Sequence, residues 1–213
     1  MAAARKGGVE AVLADIPTPK SPDALAAIPD DRWLAQFARG IMQAGISWKV
    51  VETKWPDIEA AFLGFDIGAI TFQPDDWFYD LCEDKRIVRS PPKVRAILDN
   101  AAFIRRVSDA GGGFGRTIAD WPEDDFAGLL LWLQKEGSRL GGATGAYALR
   151  QLGKDGFIAS RDVVARLIAE GVIDRAPSAR KGWDAVQGAF NAWRAQSGQS
   201  LTTISRVLAK SIG

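Results

Sequence analysis

Apolar residues recur at helical spacing through most of the chain. From Asp31 onward, Trp33, Leu34, Phe37 and Ile41 fall three to four positions apart, behind Asp30 and Asp31, either of which can cap a helix N-terminus. A break follows at Gly45-Ile46-Ser47. Ser47 is placed to cap a second helix carrying Trp48, Val50, Val51 and Trp55, and Pro56, at a first-turn position, opens a third through Phe62. The same periodicity predicts helices over 74–82, 91–108 and 123–136, with Gly111-Gly112-Gly113 between the last two. Four more are predicted near 145–152, 161–170, 179–197 and 200–211. No segment alternates apolar and polar residues in the manner of a half-buried strand, and there is no internal repeat. The fold class is therefore all-α. Residues 1–30 hold Pro17, Pro19, Pro22 and Pro29 with little apolar periodicity, and read as a Pro-rich arm with one short helix near Val9–Leu13. The helical domain is expected over 31–213.

Composition narrows the chemistry. At 213 residues, 47% hydrophobic and 25% charged, the chain suits one large soluble domain or two closely packed helical lobes. No apolar run approaches the roughly 18 residues that a membrane-spanning helix needs. The opening Met1-Ala2-Ala3-Ala4-Arg5-Lys6-Gly7-Gly8 lacks a secretory apolar core, so a cytoplasmic location is expected. There is one cysteine, Cys82, and no histidine, which removes an internal disulfide, His-based triads, imidazole bases and zinc sites. No metal and no cofactor are expected. What remains is carboxylates, amides, hydroxyls, aromatic surfaces and backbone groups.

The net charge of +1 is unevenly spread. Residues 139–213 carry eleven Lys/Arg against five Asp/Glu, a net of +6, while the remainder carries sixteen against twenty-one, or −5. A second cationic stretch, Lys85, Arg86, Arg89, Lys93, Arg95, Arg105 and Arg106, lies within the acidic part. Two such segments can form one phosphate-facing surface, or can be ordinary solvated helix faces.

Three local features carry candidate chemistry. Leu140-Gly141-Gly142-Ala143-Thr144-Gly145 is a tight turn between helices, presenting backbone N–H groups at a helix start where an anion is favoured; an isolated turn of this kind can also be a plain connection. Asp162 opens an amphipathic helix with Val163, Val164, Leu167 and Ile168. There it either complements the helix dipole or, near a DNA groove, stabilises an electron-poor sugar. Trp48 follows Gln43-Ala44-Gly45-Ile46-Ser47 at a helix junction, where small residues suit a slot, although most of the eight tryptophans must be core.

At these residues the sequence resembles DNA-3-methyladenine glycosylase I, of the helix-hairpin-helix glycosylase superfamily. Gln43-Ala44-Gly45-Ile46-Ser47-Trp48 is similar to the family's Gln-Ala-Gly-Leu-Ser-Trp, and Ala60-Ala61-Phe62-Leu63-Gly64-Phe65-Asp66 to its Ala-Cys-Phe-x-x-Phe-Asp. Arg86-Ile87-Val88-Arg89, Lys93-Val94-Arg95-Ala96-Ile97 and Asn100-Ala101 follow a third family segment. Gly142-x-Thr144-x-x-Tyr147-x-x-x-Gln151 follows its hairpin and succeeding helix. The resemblance covers roughly 31–152 and implies a two-lobed helical fold that flips a damaged base out of double-stranded DNA, as a monomer, and cleaves its N-glycosidic bond without lyase activity. It implies that Trp48 stacks on the base, Gln43 and Tyr147 shape the pocket, Ile46 wedges into the stack, and the turn at Gly142, Thr144 and Gly145 holds a backbone phosphate. Asp162 corresponds to an aspartate of the wider superfamily that supports the sugar cation. The chain departs from the family in lacking its two Cys and two His zinc ligands, and in placing Gly40 where the family has a base-binding glutamate. Two other readings stand beside this one: a non-catalytic DNA-binding relative, and a helical protein-interaction module.

Overall fold

The computed structural model describes residues 7–212, and those residues form thirteen α-helices and one 3-10 turn, with no strand among them. In chain order the helices are α1 (Val9–Leu13), α2 (Pro22–Ala26), α3 (Asp30–Gln43), α4 (Trp48–Ala61), α5 (Ile67–Thr71), α6 (Asp76–Glu83) and α7 (Pro91–Gly111). They continue as α8 (Phe114–Ala119), α9 (Phe126–Glu136), α10 (Ala143–Leu152), α11 (Arg161–Ala169), α12 (Arg180–Ser197) and α13 (Leu201–Lys210). The all-α expectation holds. The chain divides into two compact units: a first of Ser21–Asp120 with Trp132–Ala148, and a second of the segment up to Lys20 with Trp121–Leu131 and Leu149–Gly213.

The first unit is built on α3 and α7. Trp33, Leu34, Phe37, Ile41 and Met42 of α3 are fully buried against an α7 face carrying Val94, Ile97, Ala101 and Ile104, the helical spacing that the sequence displays. Phe114 of α8 anchors an aromatic cluster, with ring centroids 5.6 Å from Trp33, 5.8 Å from Phe37 and 5.5 Å from Phe103. Asp30 does not cap its own helix, whose N-cap position is Pro29. Its carboxylate instead accepts from the Phe114 amide at 3.1 Å and from the Ser108 hydroxyl, capping α8 across the unit. The short α2, not predicted, is capped by Ser21 and packs so closely on α8 that a Cβ at Gly115 would stand 2.7 Å from the Leu25 carbonyl oxygen.

Pro56 does not open a helix; α4 runs through it from Trp48 to Ala61. An internal proline costs about 3 kcal/mol, chiefly through its missing N–H and the clash with the preceding turn. Burial of Val51, Trp55, Ile58 and Ala61 along one face of α4 offsets it. Likewise Ser47 occupies the N-cap position without making a side-chain cap bond.

In the second unit, Phe157 and Phe190 stack at 4.4 Å and Phe126 meets Phe157 at 5.1 Å. Polar side chains close the helix ends there. Asp155 accepts from the Leu201 and Thr202 amides at the start of α13, and Gln187 accepts from the Ala127 amide at the start of α9. Buried Val163 and Leu167 fix which face of α11 points inward.

Candidate functional site

Seven of the eight residues singled out from sequence lie in the first unit: Gln43, Ile46, Trp48, Gly142, Thr144, Gly145 and Tyr147. The junction between α3 and α4 presents Trp48 at the first helical position, and its indole is 56% exposed, unlike the buried Trp33, Trp55 and Trp183. An indole so exposed leaves a large apolar face available to a planar ligand. Tyr147, one turn into α10, meets it edge to face, with centroids 6.0 Å apart and planes at 88°. Gln43 closes the side of the junction, donating through Nε2 to the Glu52 carboxylate at 2.8 Å. Ile46 is half-buried within the same turn, where Gly45 adopts φ +73°.

Two buried polar side chains fix this junction and the hairpin turn. Lys93 of α7 donates from its ammonium to the carbonyl oxygens of Met42 at 2.9 Å and Ala44 at 2.7 Å, satisfying the C-terminal end of α3. Burial, with the nearby Arg139 charge, pushes the Lys93 amine below the ordinary lysine value. Asn100, fully buried on the same helix, donates to the Ser138 carbonyl oxygen at 2.8 Å and accepts from the Ser138 amide at 2.9 Å. One side chain thereby holds both polar groups of a turn residue between α9 and α10. Gly145 allows the turn to close, because a Cβ there would lie 2.5 Å from the Leu140 carbonyl oxygen that its own amide bonds at 3.1 Å. Gly142, at φ +60°, supplies the left-handed residue just before α10.

Thr144 turns its methyl toward α3, where a Cβ at Gly40 would lie 3.1 Å from it. Gly40 therefore permits a close approach of α3 and α10, and the position offers no polar group.

Part of the second cationic stretch is engaged within the protein, while Lys85 and Arg89 are exposed. Lys93 is buried, Arg86 is paired with Asp84 at 2.7 Å, Arg106 with Glu136 at 3.1 Å, and Arg95 stacks over Phe78 at 4.0 Å. Charge counting along the sequence misses the engagement of Lys93, Arg95 and Arg106, whose partners lie on other helices or turns, although Asp84 stands only two positions from Arg86. It also misses Glu52, although Trp48 and Glu52 are spaced i, i+4 on α4 and so share a face.

Asp162 lies in the second unit, in the first turn of α11, capped by Ser160, which accepts from the Val163 amide at 3.4 Å. Its side chain is exposed and, among the described residues, makes no hydrogen bond or ion pair. Among those residues no cluster of Cys, Asp and Glu could hold a metal ion, and no helix is long and apolar enough to cross a membrane.

The methyladenine glycosylase family model matches residues 30–126. No curated protein matches the sequence significantly. Among solved structures, a 3-methyladenine DNA glycosylase I is 21% identical, covering 64% of this chain and 81% of its own, with a TM-score of 0.51. A point mutant of the Staphylococcus aureus 3-methyladenine DNA glycosylase I is 18% identical, covering 72% and 91%, with a TM-score of 0.52. A Methanocaldococcus jannaschii 8-oxoguanine glycosylase/lyase, solved with DNA containing 8-oxoguanine, is 13% identical and covers 88% and 85%, at a TM-score of 0.52. At these identities the structures speak for the fold, and the family model for residues 30–126. By family model and by fold alike, this chain is similar to the methyladenine glycosylases.

Proposed function

We propose that this protein is a DNA glycosylase that extrudes an alkylated purine of the 3-methyladenine type from duplex DNA and hydrolyses its N-glycosidic bond. The observation that carries the reading is the exposed Trp48 indole held edge-on by Tyr147, beside a glycine turn pinned at a helix start. A base must leave the duplex before its glycosidic bond can be reached, and an aromatic face gives the extruded base a place to stack. In this reading Trp48 stacks on the base, Gln43 and Tyr147 bound it, and Ile46 fills the gap left in the duplex. The turn at Gly142, Thr144 and Gly145 holds a backbone phosphate.

A base carrying positive charge through N-methylation leaves readily. The C1′–N bond breaks with its electron pair moving to the base, water adds at C1′, and the sugar is left as an abasic site. Asp162 stabilises positive charge on the sugar as that bond opens. No amine forms an adduct with the sugar, so the protein acts as a monofunctional hydrolase, and as a monomer without a cofactor.

Single-turnover excision on methylated duplex, following free 3-methyladenine and 7-methylguanine, tests this. Release that falls in both Trp48→Ala and Asp162→Asn is the expected result, and release untouched by Asp162→Asn removes that residue from the mechanism. Gly40 favours one other reading, since it brings no polar side chain to the place where the Thr144 methyl approaches α3. Salt-sensitive duplex binding with no release of methylated, deaminated or oxidised bases would make the chain a DNA-binding relative without catalysis.

A further inference from the structure

We propose that Glu52 is the recognition carboxylate of this site, selecting a cationic base over a neutral one. The inference rests on the reading of Trp48 as a stacking surface. Trp48 and Glu52 stand i, i+4 on α4 and so project from one face of the helix, one turn apart. Gln43, from the other side of the α3–α4 junction, donates to Glu52 Oε1 at 2.8 Å and so sets the direction of the carboxylate. Arg39 forms an ion pair with the other oxygen, Oε2, at 3.6 Å, too long for a hydrogen bond, while its guanidinium is stacked 4.2 Å over the Trp55 ring. A carboxylate has about four lone-pair positions, and Gln43 takes one of them. Glu52 therefore has acceptor capacity to offer beside an aromatic wall, and a negative charge that the half-exposed Arg39 pair offsets only in part.

That combination fits a planar, positively charged heterocycle. Its face stacks on the indole, as cations prefer an aromatic quadrupole, and a ring amine donates to the carboxylate. A neutral purine gains the stacking without the charge. Gly40 itself brings no side chain to the place where the Thr144 methyl approaches α3, so it supplies no carboxylate there.

Calorimetric titration of the full-length protein with two free bases tests this without DNA or turnover. One base is 3,9-dimethyladeninium, a permanent cation, and the other is 9-methyladenine, its neutral counterpart. Wild-type protein is expected to bind the cation about tenfold or more tightly, the equivalent of one partly exposed charge pair. Glu52→Gln keeps an acceptor for Gln43 and removes the charge. It is expected to erase most of that preference and to weaken 9-methyladenine less than twofold. The proposal is overturned if Glu52→Gln retains the preference, if it weakens both bases alike, or if wild-type protein shows no preference or binds neither base. Selective binding by a protein that excises nothing would sink the glycosylase reading and leave Glu52 in its role.

Discussion

Replacing Asn100 removes the pin that holds the hairpin turn. The side chain is fully buried and occupies both the amide and the carbonyl of Ser138. In Asn100→Ala each of those half-buried backbone groups loses its partner, at about 1–3 kcal/mol apiece, so the loss is expected to be about 2–6 kcal/mol. For a chain of this size about 1 kcal/mol lowers Tm by roughly 2–4 °C, which gives a fall of at least about 4 °C by scanning calorimetry, and up to about 24 °C. Asn100→Asp carries the sharper test. An ionised carboxylate still accepts from the Ser138 amide but faces its carbonyl oxygen, whereas the protonated acid can donate there. The folded-state pKa of this aspartate is therefore raised above the unfolded value of about 3.9. Its stabilising share is present below that unfolded value and lost as pH rises through the folded one. The variant is expected to be as weak as Asn100→Ala at pH 7 and to recover, relative to wild type, on acidification toward pH 4. A Tm within 2 °C of wild type for the alanine variant, or no acid recovery for the aspartate, refutes the pin.

Other substitutions separate the remaining structural claims. Gly142→Ala places a Cβ in open space on a left-handed residue and is expected to cost about 1 kcal/mol. Gly145→Ala drives a Cβ against the Leu140 carbonyl oxygen and is expected to cost at least twice as much; equal melting temperatures would contradict the close turn. The Lys93 amine sits below the ordinary lysine value of 10.5, so the folded protein releases that proton first and stability rises as pH climbs through the window just under 10.5. Lys93→Met should be less stable and lack that rise, and denaturation at pH 8.5 to 10.5 in which both proteins respond alike counts against a depressed Lys93.

The long helices are legible in the sequence because each buries one face for three or more turns. The spacing of Trp33, Leu34, Phe37 and Ile41 alone declares α3, as that of Val94, Ile97, Ala101 and Ile104 declares α7. The helices that escape, α2, α5 and α8, have five or six residues, too few to establish a period. Local rules fail where a distant partner decides. Asp30 looks like the cap of its own helix and caps α8, and Pro56 looks like a helix start and is carried inside α4 by the buried residues around it. Resemblance supplies Trp48 and Tyr147, yet nothing in a separation of ninety-nine positions says that their rings touch. Lys93 counts as surface charge along the sequence because a lysine's burial depends on carbonyls about fifty residues away.

The route of the chain between its two compact units constrains how the protein can be taken apart. The backbone leaves the first unit after Asp120, re-enters it at Trp132 within α9, and leaves again after Ala148 within α10. The family match ends at Phe126, close to the first departure, so it follows only the contiguous part of that unit. A gene fragment cut at the match boundary would retain Gln43 and Trp48 but discard Asn100's partner Ser138, the glycine turn and Tyr147. No single cut separates the first unit from every segment of the second. A truncation after Ala148 keeps Gln43, Trp48, the glycine turn and Tyr147 but carries Trp121–Leu131 of the second unit with it, so an excised first unit would need a designed loop joining Asp120 to Trp132.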